Sequence, residues 1–284
     1  MYVGFELNDY EPLRKVSFLE TYDFKEQSKG TFDRLSEYMV GKFKGKDVID
    51  AEQLADHLFP AKKAHVFLSH SHQDADQAIE LAIALRDKGL EVFVDSCVWG
   101  YFHDLLDALN GVYADPQRSA EGGVVYDYRK ATDLTAGVHM MLVGALQAMI
   151  DRSELFVFLN TSNSIPLNNF AGVDRTFSPW IYSELQFSAN ARSQLPMRKR
   201  LIMDSVSIEE RRQFKAIAST EALLSFKAFN KHLPKVNGGE LKTWFSGTGT
   251  LGLRALDSMY NNSDIPESFL RLRQALERRE QLGA

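Results

Sequence analysis

The stretch HVFLSHSHQDADQAIELAIALRDKGLEVFVDS, His65 to Ser96, decides the fold. HVFLS is a short, unbroken run of β-forming apolar residues, the composition of a strand covered on both faces of a parallel sheet. HSHQ is a loop. Asp74 stands where a helix cap belongs, with Gln77 three residues on as a loose capping box. Ala78, Leu81, Ala82 and Leu85 form one apolar stripe at helical spacing. Lys88 and Gly89 then have the chemistry that ends a helix. LEVFVDS reads as a second strand. Strand, helix and strand in about thirty residues make a right-handed βαβ unit with parallel strands.

Downstream the same alternation continues. Residues 97–132 form a long connection in which FHDLLDALNGVYAD suggests a short helix. LTAGVHMMLVGALQAMI is a stronger helix, with Leu134, Val138, Met141, Leu142, Ala145 and Met149 on one side. ELFVFLN is a third strand, TSNSIPLNNFAGVDRTF a second long loop, and KRLIMD a fourth strand. Beyond Asp204, SIEERRQFKAIASTEALLSF reads as helical and GELKTWFS as an edge strand. PESFLRLRQALERREQL reads as a closing helix with Phe269, Leu272 and Leu276 inward. Upstream, FDRLSEYMVGKF and AEQLADHLF carry helical spacing, punctuated by Gly30 and Pro60. The expected architecture is an open, mostly parallel α/β sheet with helices on both faces. Residues 1–60 are expected to be an N-terminal helical extension. The α/β domain then runs 61–284, with its core at 61–205 and a C-terminal elaboration at 206–284.

The totals narrow the function. Among 284 residues, 44% are hydrophobic and 25% charged, which reads as soluble and globular. A net charge of −5 gives no general pull toward nucleic acid or an anionic membrane. One cysteine, Cys97, excludes an intrachain disulfide and fits a reducing compartment. The N-terminus lacks a basic segment followed by an apolar core. The longest apolar stretch is interrupted by Asp151, Arg152 and Glu154, too soon for either piece to span a bilayer. A cytoplasmic protein is expected.

A site candidate comes from SPWIYSELQFSANA, Ser178 to Ala191. Ser178 is a good N-cap and Pro179 fits the first helical position. Trp180 and Glu184 then share a helix face at i and i+4. An aromatic plate beside a carboxylate is either ordinary packing at a core margin or part of a site for a flat, charged ligand. In open α/β sheets, ligands bind beyond the carboxyl ends of the strands. The loops after Leu68, Val94 and Leu159 and the start of this helix belong at that edge.

In this order, HVFLSHSHQDAD, GLEVFVDS, AMIDRSELFVFLNTS and SPWIYSEL resemble the TIR (Toll/interleukin-1 receptor) domain family over roughly residues 61–205. The resemblance implies a flavodoxin-like α/β fold. Many members, bacterial ones among them, cleave NAD at the nicotinamide–ribose bond. By the resemblance the catalytic glutamate falls on Glu184 and the tryptophan one turn earlier on Trp180. Ser69 and His70 fall on the exit loop of the first strand, Asp95 at the entrance to the gating loop, and Trp99 within it. NAD would be substrate, with no cofactor. Self-association through the TIR-like domain and a role in bacterial antiphage defence or signalling are also implied. The 97–132 connection and the 161–177 loop are longer than the family pattern.

The chemistry suits a single carboxylate. Breaking the nicotinamide–ribose bond builds oxocarbenium-like positive charge on the ribose. The leaving group departs neutral without a general acid, so one carboxylate can hold the sugar hydroxyls and stabilise the charge. An aromatic wall can stack on a planar ring. The alternatives are a non-catalytic TIR-like module that recruits a partner, or a nucleosidase acting on another nucleotide. His65, His70 and His72 lack the carboxylate or thiolate partners of a metal site, so no metal is expected. Cys97 has no evident base and reads as an incidental thiol. GTGTLG, residues 247–252, formally matches a dinucleotide fingerprint but lacks a following strand and reads as a turn. RKR, Arg198 to Arg200, reads as a solvated approach to the fourth strand.

Overall fold

A computed structural model describes residues 3–28, 35–58, 64–97, 99–119, 122–191, 224–247 and 249–261. The first elements are β1 (Val3–Asn8), α1 (Phe18–Ser28), the hairpin β2 (Met39–Phe43) and β3 (Lys46–Ile49), and α2 (Ala51–Leu58). The βαβ unit follows as β4 (Val66–Ser69), α3 (Ala75–Asp87) and β5 (Val92–Val94). Next are α4 (Trp99–Tyr113), a short pair β6 (Gln117–Arg118) and β7 (Val124–Val125), α5 (Tyr128–Arg152) and β8 (Leu155–Leu159). A hairpin β9 (Leu167–Phe170) and β10 (Val173–Thr176) leads into α6 (Pro179–Asn190). Last are β11 (Phe226–Lys227), β12 (Lys235–Asn237), α7 (Gly238–Gly247) and α8 (Leu253–Asn261).

The chain divides into two compact units. The first comprises residues 1–24, 63–95 and 149–284, and the second 25–62 and 96–148. These units do not coincide with the expected division at residue 60. The 97–132 connection holds the expected helix, as the longer α4, together with the β6–β7 pair. Within the second unit, Tyr113 donates to Asp47 at 3.3 Å, and Asp127 N donates to Ala114 O at 2.8 Å.

The first unit is built on a five-stranded sheet in the order β12-β1-β8-β4-β5, with every described pairing parallel. The expected coarse α/β class is what is observed. Phe67, Leu68, Phe156, Phe158 and Leu159 are fully buried, as strands covered on both faces require. Each such side chain contributes about 1.5–3 kcal/mol by leaving water. Along one face, Phe93, Phe67 and Phe156 form a row across three strands, with ring centroids 5.3 and 5.7 Å apart. The same row ends at Gly4 of β1, where a Cβ would lie 3.0 Å from Leu233 Cδ2.

β1 overturns the expected helical extension. All of Val3–Leu7 is buried, and β1 sits inside the sheet between β12 and β8. Glu6 interrupts its apolar run and hid the strand. FDRLSEYMVGKF is likewise not a helix where it is described, because a 3-10 turn at Leu35–Tyr38 passes into β2. GELKTWFS is α7 rather than an edge strand; its Trp244 and Leu241 are buried at helical spacing. KRLIMD, RKR, most of SIEERRQFKAIASTEALLSF and the closing PESFLRLRQALERREQL segment lie outside the described residues.

The remaining helices follow their patterns. α3 buries the Ala78, Leu81, Ala82 and Leu85 stripe together with Ile79, Ile83 and Ala84. It ends as expected at Gly89, at φ +73°, whose N–H bonds Arg86 O at 2.7 Å. α5 buries Val138, Leu142, Leu146 and Met149. Its 25 residues make it long and apolar enough by composition to cross a membrane, contrary to the expectation of no such segment. Of GTGTLG, Gly247 ends α7 and Gly252, at φ +61°, bonds Lys88 O through its N–H at 2.6 Å.

Candidate functional site

Two features of the topology select one edge of the sheet. β4 is followed by β5 on one side, while β8 pairs with β4 on the other. The carboxyl ends of β4 and β8 therefore flank a point where chain connections diverge, the place where open α/β sheets bind ligands. The second feature is α6. Thr176 Oγ1 accepts from Ser178 N at 3.1 Å, and Ser178 Oγ accepts from Ile181 N at 3.2 Å, with Pro179 in the first turn. This fixed entry sets the helical phase that turns Glu184 inward.

Glu184 is 1% exposed, and Ser69 Oγ donates to its Oε2 at 2.5 Å. Ser69 is the last residue of β4 and wholly buried. Next along the chain, His70 places Nδ1 2.9 Å from Asp95 Oδ1 and 3.3 Å from Leu68 O. Asp95 follows β5 directly and is also buried. Four residues singled out in the sequence, Ser69, His70, Asp95 and Glu184, thus form one connected cluster from three elements.

The electrostatics of the cluster are mutual. Burial raises the Glu184 carboxyl well above its ordinary value of 4.5. The Asp95 carboxylate raises it further, by charge and by hydrogen bond, while the Ser69 hydroxyl works in the opposite direction. For His70, burial favours the neutral ring. The Asp95 charge and hydrogen bond, the Leu68 carbonyl and Asp74 outweigh it and raise the imidazole above its ordinary value. His70 Nε2 is buried without a hydrogen-bond partner among the described residues.

Trp180 is half-buried, one helical turn before Glu184 on α6. Trp99 lies in the first turn of α4, in the second unit, and its side chain is outside the described residues. It is therefore not part of the cluster described. Cys97 is half-buried, in the 96–148 segment of that unit. Among the described residues, no group of three His, Cys, Asp or Glu side chains could hold a metal ion.

Sequence reasoning missed a second constellation beside the first. Asp74 occupies the cap position of α3, but its side chain makes no cap bond. Instead Oδ2 accepts from Thr161 Oγ1 at 2.5 Å and Oδ1 from Asn163 Nδ2 at 2.7 Å. Asp74 so pins the β8 exit loop to the β4 exit loop. The signal for it was the polar run NTSNS directly after a buried strand. Comparison of the chain with family models, curated proteins and solved structures found no match.

Proposed function

We propose that this chain is a TIR-like enzyme that cleaves the nicotinamide–ribose bond of NAD, by hydrolysis or cyclisation. The observation that carries the reading is the buried Ser69–Glu184 pair with the His70–Asp95 pair beside it. In this reading the β5-β4-β8 order is the flavodoxin-like portion of the sheet. The N-terminal β1 takes the next place in it.

Glu184 acts as a carboxylate. It accepts from the ribose hydroxyls and offsets positive charge as nicotinamide leaves as a neutral base. Ser69 holds the carboxylate in place and favours its ionised form. Asp95 keeps the His70 imidazole oriented through Nδ1, leaving Nε2 as a donor for the substrate. Trp180 stacks on a planar ring. Burial of the cluster strengthens each of these interactions relative to water.

The near-complete burial of Glu184 favours a second reading, a non-catalytic TIR-like interaction module. In either reading the chain self-associates and works in the cytoplasm, in bacterial defence or signalling. The test is nicotinamide release from NAD by concentrated protein, with the second product identified by mass. Release that Glu184→Ala abolishes supports the enzyme, and ADP-ribose or a cyclic product names the reaction. Partner binding by both proteins with no release from either supports the module. Base release from another nucleotide, with NAD untouched, supports a different nucleosidase.

A further inference from the structure

A second polar cluster lies along the same rim, on β1. Glu6 is fully buried and stands in register with Phe158 of β8, which stands in register with Ser69 of β4. Neighbours in register on parallel strands project to one face, so Glu6 and Ser69 share the face that receives Glu184. Two strand spacings separate them, about 10 Å. Glu6 Oε1 accepts from Asn160 Nδ2 at 2.7 Å, and Oε2 from Asn230 Nδ2 at 3.0 Å. Lys235 Nζ lies 3.7 Å from Oε1. Asn230 Nδ2 also donates to Asp174 Oδ2 at 3.2 Å, and Asn160 Nδ2 to Asn8 Oδ1 at 3.1 Å. From buried Glu6 and Asn230 the cluster opens to half-buried Asn8, Asn160 and Asp174.

What the cluster lacks is a donor for one oxygen, Asn230 Oδ1. Both carboxylates against Asn230 accept, so its amide must turn NH2 toward them. Its Oδ1 is then left buried without a donor among the described residues, on a side chain whose residue is 3% exposed. Leaving such an oxygen unmade costs about 1–3 kcal/mol. Asp174 Oδ1 already accepts from Asn169 N at 2.9 Å, so each carboxylate oxygen has one partner and one lone pair to spare. Those lone pairs and the open amide oxygen complement a group rich in O–H donors. Vicinal hydroxyls are such a group, since a carboxylate's two oxygens can accept from both.

We propose that Glu6, Asn160, Asn230 and Asp174 form a subsite for the vicinal diol of a ribosyl group. The proposal rests on reading the Glu184 cluster as a nucleotide site and extends it. A dinucleotide carries two riboses joined by a pyrophosphate, and one lies at Glu184 while the other reaches the Glu6 cluster.

The test is binding of AMP and of 2′-deoxy-AMP to the full chain by titration calorimetry. Wild type binds AMP, and loss of the 2′-hydroxyl weakens binding by about tenfold or more. Glu184→Ala keeps that discrimination. Asn230→Ala abolishes it, and Glu6→Gln serves if Asn230→Ala does not melt cooperatively. No binding of AMP, equal binding of both nucleotides by wild type, or discrimination that survives in the folded Asn230 or Glu6 variant overturns the proposal. Nicotinamide release is scored on the same protein. Discrimination without release sinks the NAD reading alone, and release without discrimination sinks the subsite alone.

Discussion

Ser69 Oγ donates to Glu184 Oε2 at 2.5 Å, joining residues 115 positions apart in the chain. The bond fastens α6 to the carboxyl end of β4. It also opposes the burial that holds the Glu184 proton in place. The same contact is therefore structural and chemical, and the two roles separate by titration.

If Glu184 works as a carboxylate, kcat for NAD cleavage rises with pH as its proton leaves, along a limb above the ordinary carboxylate range. Asp95→Asn removes a charge that raises this group, so the limb moves to lower pH. Ser69→Ala removes the bond that lowers it, so the limb moves to higher pH. On the limb, each unit of displacement is about a tenfold change in rate. The measurement is the pH profile of kcat for the three proteins.

Stability follows the same group with a definite sign. The folded-state value of Glu184 lies above its ordinary 4.5, so the folded chain holds this proton more tightly than the unfolded chain. The stability from that proton is fully present below about 4.5 and is lost as pH rises through the folded value. Glu184→Gln keeps the shape and titrates nothing. Its melting temperature should match the wild type at low pH and exceed it by a few degrees at neutral pH and above. About 1 kcal/mol corresponds to about 2–4 °C for a domain of roughly this size. Thermal melts across pH read the difference directly.

Asp74→Asn turns an acceptor of two hydrogen bonds into a group that also presents donors. It should destabilise the fold by about 1–3 kcal/mol. It also removes one of the charges that raise His70. The His70 ring, followed by NMR, then titrates at lower pH than in wild type.

Two glycines predict opposite responses to alanine. A Cβ on Gly238 would lie 2.2 Å from Asp9 O and 2.5 Å from Glu11 N, where β1 leaves the sheet. Gly238→Ala should destabilise by about 1–3 kcal/mol or more. Gly137, within α5, has nothing within 4 Å of that position. Gly137→Ala should stabilise by about 0.5–1 kcal/mol through helix propensity. Denaturant melts of the two variants check both signs.

The elements that could be read from the sequence are those whose apolar pattern is unmixed. β4, β5 and β8 carry unbroken apolar runs, α3 carries an apolar stripe that ends at Gly89, and Ser178–Pro179 marks the start of α6. β1 was not legible because its central Glu6 is solvated by Asn160 and Asn230, residues far along the chain. α7 was misread because TWFS has the composition of a strand, while the Asn237–Glu240 capping box that starts the helix lies before it. The site was half legible. Ser69, His70, Asp95 and Glu184 were nameable one by one, but their connection depends on strand order. Asp74 looked like a cap because nothing local reveals a bond to Thr161.

The central claim is tested most directly by single-turnover nicotinamide release from NAD, comparing wild type with Glu184→Gln at neutral pH. The account predicts release by wild type and a loss of at least about 10²–10³-fold in the variant, which stays folded and melts no lower. Equal release by both proteins would contradict it and would remove Glu184 from the chemistry.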